Sequence, residues 1–281
     1  MHLVHTYILN KHPPFYSTTN HLPSTPKIIL FSCILYLRIA LAFATRDQQK
    51  RKQGTTKMTM TLKAAKESAG KLSLGNGKMP GSTFATDAFA CKVGDKLAKV
   101  KGSVCDSCYA RKLQKLRPSV NQGWSNNQRL AVNLIANAPH KWVAAMVFQV
   151  EKAAIKSGQP FHRWFDSGDL DSVEMLAAIV KVAKSTPNIK HWLPTRELGI
   201  VSAYRKTGGS IPRNLRIRLS ATMVGDKPLT SAKRLGVSTS TVHKKGESFV
   251  GHQCPAPDQG GNCGDCRHCW INPENVSYRK H

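Results

Sequence analysis

Acidic residues are scarce in this chain: 16 Asp and Glu stand against 42 Lys and Arg over 281 residues, a formal charge of +26. That scarcity excludes a charge-balanced surface. It points to a polyanionic partner such as nucleic acid, or to an anionic substrate, unless the bases only solvate the surface. Residues 1–57 hold eight bases and one acid, so 58–281 keep 34 bases against 15 acids and the excess belongs to the body of the chain. A bilayer-length apolar run is missing as well. Ile28–Ala44 has 17 residues and is broken by Arg38, short of the roughly 20 that a spanning helix takes. No internal repeat is present, which excludes solenoid and propeller architectures.

The first 57 residues have a Pro-rich lead, the apolar run and a basic, Gln-rich stretch, without helical or strand periodicity. Ala42-Phe43-Ala44 resembles a signal cleavage site, but export would place cluster-spaced thiols in an oxidising compartment. The reading adopted is a start at Met58 or Met60, with 1–57 a disordered N-terminal extension or a start-site artefact, and a cytoplasmic location. No membrane is expected for the folded domain.

From Met58 onward the pattern predicts a helix over 61–68, a strand over 71–75 and a Gly/Pro-rich loop to Thr86. The first cysteines fall in a long connection, 91–108. Helices follow over 125–137 and 140–157, separated by Pro139. A strand at 161–165 leads to a helix opened by Asp171 and Glu174 as a capping box and ending before Pro187. Then come a strand at 189–193, a helix over 199–206 and a strand at 215–219. Strands alternating with helices at this spacing imply parallel βαβ units, an α/β fold. The division expected is a partial α/β barrel over 58–250 and a cysteine-rich extension over 251–281. Trp124, Trp142, Trp164 and Trp192 are expected as core or helix-face residues.

Each of these three strands ends in a polar cluster: Asp166-Ser167-Gly168-Asp169, Pro194-Thr195-Arg196-Glu197 and Ser220-Ala221-Thr222. In a parallel barrel all strand C-termini open on one face, so the clusters would converge there. Asp169 and Arg196 are the candidate catalytic residues, Arg196 as a contact for an anionic substrate. Simple helix capping by Asp169, or pairing of Arg196 with Glu197, is the plainer alternative.

Seven of the eight cysteines form two groups. Cys91, Cys105 and Cys108 leave one coordination position open on a metal or cluster, whereas Cys254, Cys263, Cys266 and Cys269 close one. Cys105 and Cys108 chelate at two-residue spacing, and Cys91 must fold back to join them. A thioredoxin-type redox pair is disfavoured because the long preceding loop does not suit that motif. In the second group three cysteines repeat at two-residue spacing and Cys254-Pro255 supplies the fourth. That pattern favours an iron–sulfur cluster over zinc, which keeps His268 as a substitute ligand. Residues 231–243 carry the small residue, glycine and valine of a helix-turn-helix at Ala232, Gly236 and Val242. That reading gives the alternative, a zinc-stabilised nucleic-acid-binding protein without catalytic activity. A strand over 239–242 fits the same residues.

The segments CDSCYARK, RWFDSGDL, LPTRE, RLSAT and NCGDCRHCW resemble, from about Lys71 to Trp270, the phage gene-product-88 family. Its layout is similar to that of radical S-adenosylmethionine (radical SAM) enzymes. The resemblance implies a phage-encoded iron–sulfur protein on a partial (βα) barrel. Its Cys91, Cys105 and Cys108 would hold a [4Fe–4S] cluster that binds S-adenosylmethionine. Ser167, Gly168 and Asp169 would take the methionine-binding segment's place, Ser220 and Thr222 would lie near the ribose, and the four C-terminal cysteines would hold an auxiliary cluster. Thirteen residues separate Cys91 from Cys105, where the radical SAM pattern is C-x3-C-x2-C.

Overall fold

In the computed structural model residues 60–75 and 77–280 are described. The expectations for 1–57, including the apolar run and Cys33, lie outside them. In chain order the elements are α1 (Leu62–Ala69), β1 (Ser82–Phe84), α2 (Lys92–Leu97), α3 (Tyr109–Leu116), α4 (Pro118–Asn137) and α5 (Pro139–Ser157). Then follow β2 (Phe161–Trp164), α6 (Val173–Ser185), β3 (Lys190–Thr195), α7 (Leu198–Lys206), β4 (Leu215–Ser220), α8 (Ser231–Leu235) and β5 (Ser238–His243). The chain closes with β6 (His252–Gln253), a 3₁₀ turn (Ala256–Asp258), α9 (His268–Ile271) and β7 (Val276–Arg279).

The seven strands form one sheet in the order β1-β2-β3-β4-β5-β7-β6, and every pairing is parallel. The first five strands follow chain order, so right-handed crossovers place their helices on the same face. Strand alternation fits this. Trp164, Leu193, Leu215, Ile217 and Leu219 join the core with residues of α1 and α4–α8, while their neighbours Arg163, Trp192 and Arg218 point to the opposite face. Trp142, Trp164 and Phe84 meet edge-on or tilted, with centroids 6.0–6.2 Å apart, at the centre of the helix side. On the opposite face Trp270 of α9 packs against Phe161 and Trp192, and its indole N–H donates to His162 O at 2.9 Å.

The α/β alternation from 161 onward is as expected, with several differences. Residues 71–75 form no strand; Ser73 makes a single antiparallel bridge to Thr83. β1 lies instead inside the stretch read as a loop, too short for its alternation to register. The helix expected to begin at Ser125 begins at Pro118, because proline at the first helical position loses no hydrogen bond. Ser172, not Asp171, caps α6, its hydroxyl accepting from the Met175 N–H at 3.1 Å. The helix-turn-helix reading is overturned. α8 is five residues long and Gly236 ends it in the left-handed conformation (φ 65°). The following Ser/Thr/Val run then pairs with β4 and β7 as a strand, as its β-branched residues favour. The segment expected as an extension contributes β6 and β7 to the sheet edge. Among the described residues no helix is long and apolar enough to cross a membrane.

Candidate metal centre

Cys91 and Cys108 stand at the N-caps of α2 and α3, and neither thiol takes part in the cap. Each half of this three-cysteine segment is tied to a different strand end. The Glu197 carboxylate after β3 accepts from the Val93 N–H at 2.8 Å. Lys92 reaches Asp171, donating to its carbonyl at 2.6 Å with the carboxylate 3.8 Å away. On the other side Val104 N–H donates to Thr222 O at 2.9 Å, and Ser103 bridges Met223 beyond β4. Cys105 N–H donates to Ser103 Oγ at 3.2 Å. A Cβ built on Gly94 would lie 3.6 Å from Cys91 Sγ and 3.8 Å from Cys105 Sγ, so both sulfurs border one small space that any side chain there would fill.

Burial pushes the Cys91 thiol far up, reinforced by the Asp169 carboxylate and then by Cys108 and Cys105, and opposed by Arg196. Cys105 is raised by burial against the pull of Arg196, with Cys108 and Asp169 adding to the rise. The three thiols, Asp169 and Arg196 therefore share one neighbourhood.

The polar strand ends supply its floor. Thr86 N–H donates to Ser167 O at 2.9 Å, binding the ends of β1 and β2 together. Gly168 has φ 83°, and a Cβ there would overlap the Thr86 hydroxyl, so only glycine fits. Phe165 also takes a positive φ, 54°, costly for a bulky residue. The Asp169 carboxylate accepts from Leu170 N–H at 2.8 Å through Oδ1 and from Arg196 N–H at 2.9 Å through Oδ2. Desolvation raises it to about 6, against the hydrogen bonds from Thr195, Arg196 and Leu170. Ser167 Oγ, Asp166 Oδ1 and Arg196 Nε are buried without a partner. Ser220 and Thr222 sit at the end of β4 with their hydroxyls already engaged, by Ser240 Oγ at 3.0 Å and Asp226 at 3.4 Å.

The four C-terminal cysteines gather on the sheet's other face. Cys254 N–H continues the β6–β7 ladder onto Ser277 O at 2.9 Å, and Cys263 N–H donates to Lys78 O at 2.8 Å. Cys269 Sγ lies 3.2 Å from Tyr278 Oη. Burial takes Cys269 up to about 12 against its hydrogen bond with Tyr278. Burial also raises Cys254 and Cys263, with Cys266 contributing to both. Arg218 organises the segment. It is fully buried and donates to the carbonyls of Cys269, Thr239, Glu274, His268 and Asn272. Arg163, whose guanidinium lies 4.4 Å from the Trp192 ring centroid, influences Tyr109 beside Cys108 as well as Cys263 and Cys269. All seven described cysteines are free thiols.

Beside Cys266, the side chains of His252, His268 and Glu274 bring ligand atoms within 4.8 Å of one another. His268 is the substitute ligand expected from the sequence. His252 and Glu274 were missed, although His252 stands two positions before Cys254.

The structure defines an α/β protein with a seven-stranded all-parallel sheet and two groups of free cysteines. Residues 48–272 match the family described as Gene product 88, and the chain belongs to that family. No curated protein and no solved structure matches it.

Proposed function

We propose that the chain is an iron–sulfur protein resembling radical SAM enzymes, built on a partial (βα) barrel, phage-encoded and cytoplasmic. Cys91, Cys105 and Cys108 would hold a [4Fe–4S] cluster, and the C-terminal cysteines a second cluster or a zinc ion. The gathering of three free thiols over the parallel strand ends carries this reading. The donor set fits the group. Three soft thiols leave a position open, and the nearby Asp169 carboxylate is held in place by the Leu170 and Arg196 N–H groups.

A cluster of this kind supplies one electron to S-adenosylmethionine when both are bound. The chain's own residues prepare the place. Asp169 holds the Arg196 backbone at the mouth of the site, Arg196 offsets the negative charge of the thiolates, and Gly168 keeps the β1 and β2 ends in close approach. The partnerless Ser167 Oγ and Arg196 Nε offer one donor-acceptor and one donor to a polar ligand. The basic excess fits an anionic substrate, with Arg196 its first contact. The test is anaerobic reconstitution of the full chain followed by binding and reductive cleavage of S-adenosylmethionine. Cleavage that disappears in Cys105→Ala is the expected result; absence of both binding and cleavage in the iron-loaded protein overturns the radical SAM reading.

A second reading, a zinc-stabilised nucleic-acid-binding protein, draws on the basic charge and on the imidazole and carboxylate donors beside Cys266. Zinc without iron or sulfide in the purified protein would favour it.

A further inference from the structure

Three residues from different elements converge at the sheet edge beneath α9. His252 is on β6, His268 opens α9, and Glu274 lies just before β7. The two imidazoles stack at 3.5 Å with their planes 8° apart, and His268 Nδ1 lies 3.1 Å from the Glu274 carboxylate. Their backbones are fixed independently of their side chains. Arg218 binds the carbonyls of both His268 and Glu274, and His252 N–H donates to Asn275 O at 2.9 Å in register with Val276. The Asn272 amide nitrogen lies 2.8 Å from His268 Nδ1 and 3.0 Å from its Nε2, so the ring has a polar neighbour that a bound ion would displace from one nitrogen. The rings would turn out of their parallel stack to share one ion, since each lone pair lies in its own ring plane.

We infer that His252, His268 and Glu274 bind a single divalent transition-metal ion of the zinc type, beside the four C-terminal cysteines and separate from them. Two borderline imidazoles with one carboxylate oxygen are a set that zinc-type ions take, whereas magnesium and calcium ask for oxygen throughout. The ion joins β6, α9 and the lead into β7. It lies against the cysteine group, since Cys266 Sγ is 3.5 Å from His252 Nε2. This inference stands whether or not the three-cysteine site carries iron.

Co(II) is the probe, titrated into the full chain after reconstitution with iron and sulfide and read by its visible d–d bands. Wild type, His268→Asn and Glu274→Gln are compared, with iron and sulfide quantified in each. The expected result is one Co(II) bound by the wild type. Each substitution should weaken that binding by at least about tenfold, with iron and sulfide unchanged. Equal Co(II) binding in all three proteins overturns the site and leaves His268 and Glu274 an ordinary ion pair. Iron that falls in step with Co(II) also overturns it, because the residues then serve the cysteine centre. Glu274 is exposed, so the isosteric Glu274→Gln decides the matter should His268→Asn fail to fold.

Discussion

At the scale of single residues, the core holds two histidines that the helix side cannot afford to charge. His162 and His191 are fully buried with ring centroids 5.6 Å apart. His162 shares a hydrogen bond with Ser82 Oγ and His191 with Thr186 Oγ1, each at 2.8 Å. Desolvation lowers His191 to about 3 and His162 well below its ordinary value. Both native rings therefore stay neutral where the unfolded chain begins to take protons, near pH 6.5. Stability is full above that pH and falls as the pH drops toward 3, by up to about 1.4 kcal/mol per pH unit for His191. Denaturation midpoints measured from pH 7 to pH 4.5 should fall more steeply for wild type than for His191→Asn. Parallel curves would show that His191 is not buried neutral. These histidines were legible only as members of strands, because nothing in a single sequence says which ring loses its water. Cysteine spacing was more informative: it divided the seven cysteines into the segment that opens α2 and α3 and the segment that carries β6 and α9. Glu197, by contrast, was read as part of a polar cluster, and its hold on the Val93 N–H depends on a long-range approach that no local pattern records.

Among the elements, those with a strong period were the legible ones. The apolar faces of α5, α6 and α7, and the alternation of Leu215, Ile217 and Leu219 with Arg216 and Arg218, fixed helix and strand type from 140 to 220. β1 and β6 were not legible, since three and two residues carry too few repeats for a period to show, and β7 (Val276-Ser277-Tyr278-Arg279) has no apolar and aromatic run such as marks β2. The junctions between elements give sharper tests. Gly168→Ala would add a Cβ against Thr86 at a positive φ, so it should cost at least about 1–3 kcal/mol of stability. Chemical denaturation checks this, and an unchanged midpoint would contradict the close approach of β1 and β2. Arg218→Met removes donors to five carbonyls beneath α9. The expected loss is more than about 3 kcal/mol. On the proposed iron–sulfur reading, any metal held by the C-terminal cysteines should go with it, while iron held by Cys91, Cys105 and Cys108 should remain, because their supports come from the β3 and β4 ends and not from Arg218. Metal content per chain before and after the substitution distinguishes a local loss from global unfolding.

For the molecule as a whole, chain-ordered parallel strands put helices on one face and leave the other for the cysteine-rich segment. The sequence alternation implied the first half of that arrangement. The second half escaped it: residues 251–281 looked like an appendage because their ligands dominate their pattern, yet Arg218, Trp270 and the β5–β7 pairing draw them onto the sheet. The two thiol groups thus lie on one scaffold but depend on different anchors, so each should be removable without the other. The most direct measurement is iron and acid-labile sulfide per chain in the anaerobically reconstituted full-length protein, wild type beside Cys105→Ala. The iron–sulfur reading predicts iron and sulfide in the wild type, with Cys105→Ala losing the share held by the three-cysteine site and keeping any share held by the C-terminal cysteines. Zinc alone in the wild type, or iron and sulfide unchanged by Cys105→Ala, would contradict it.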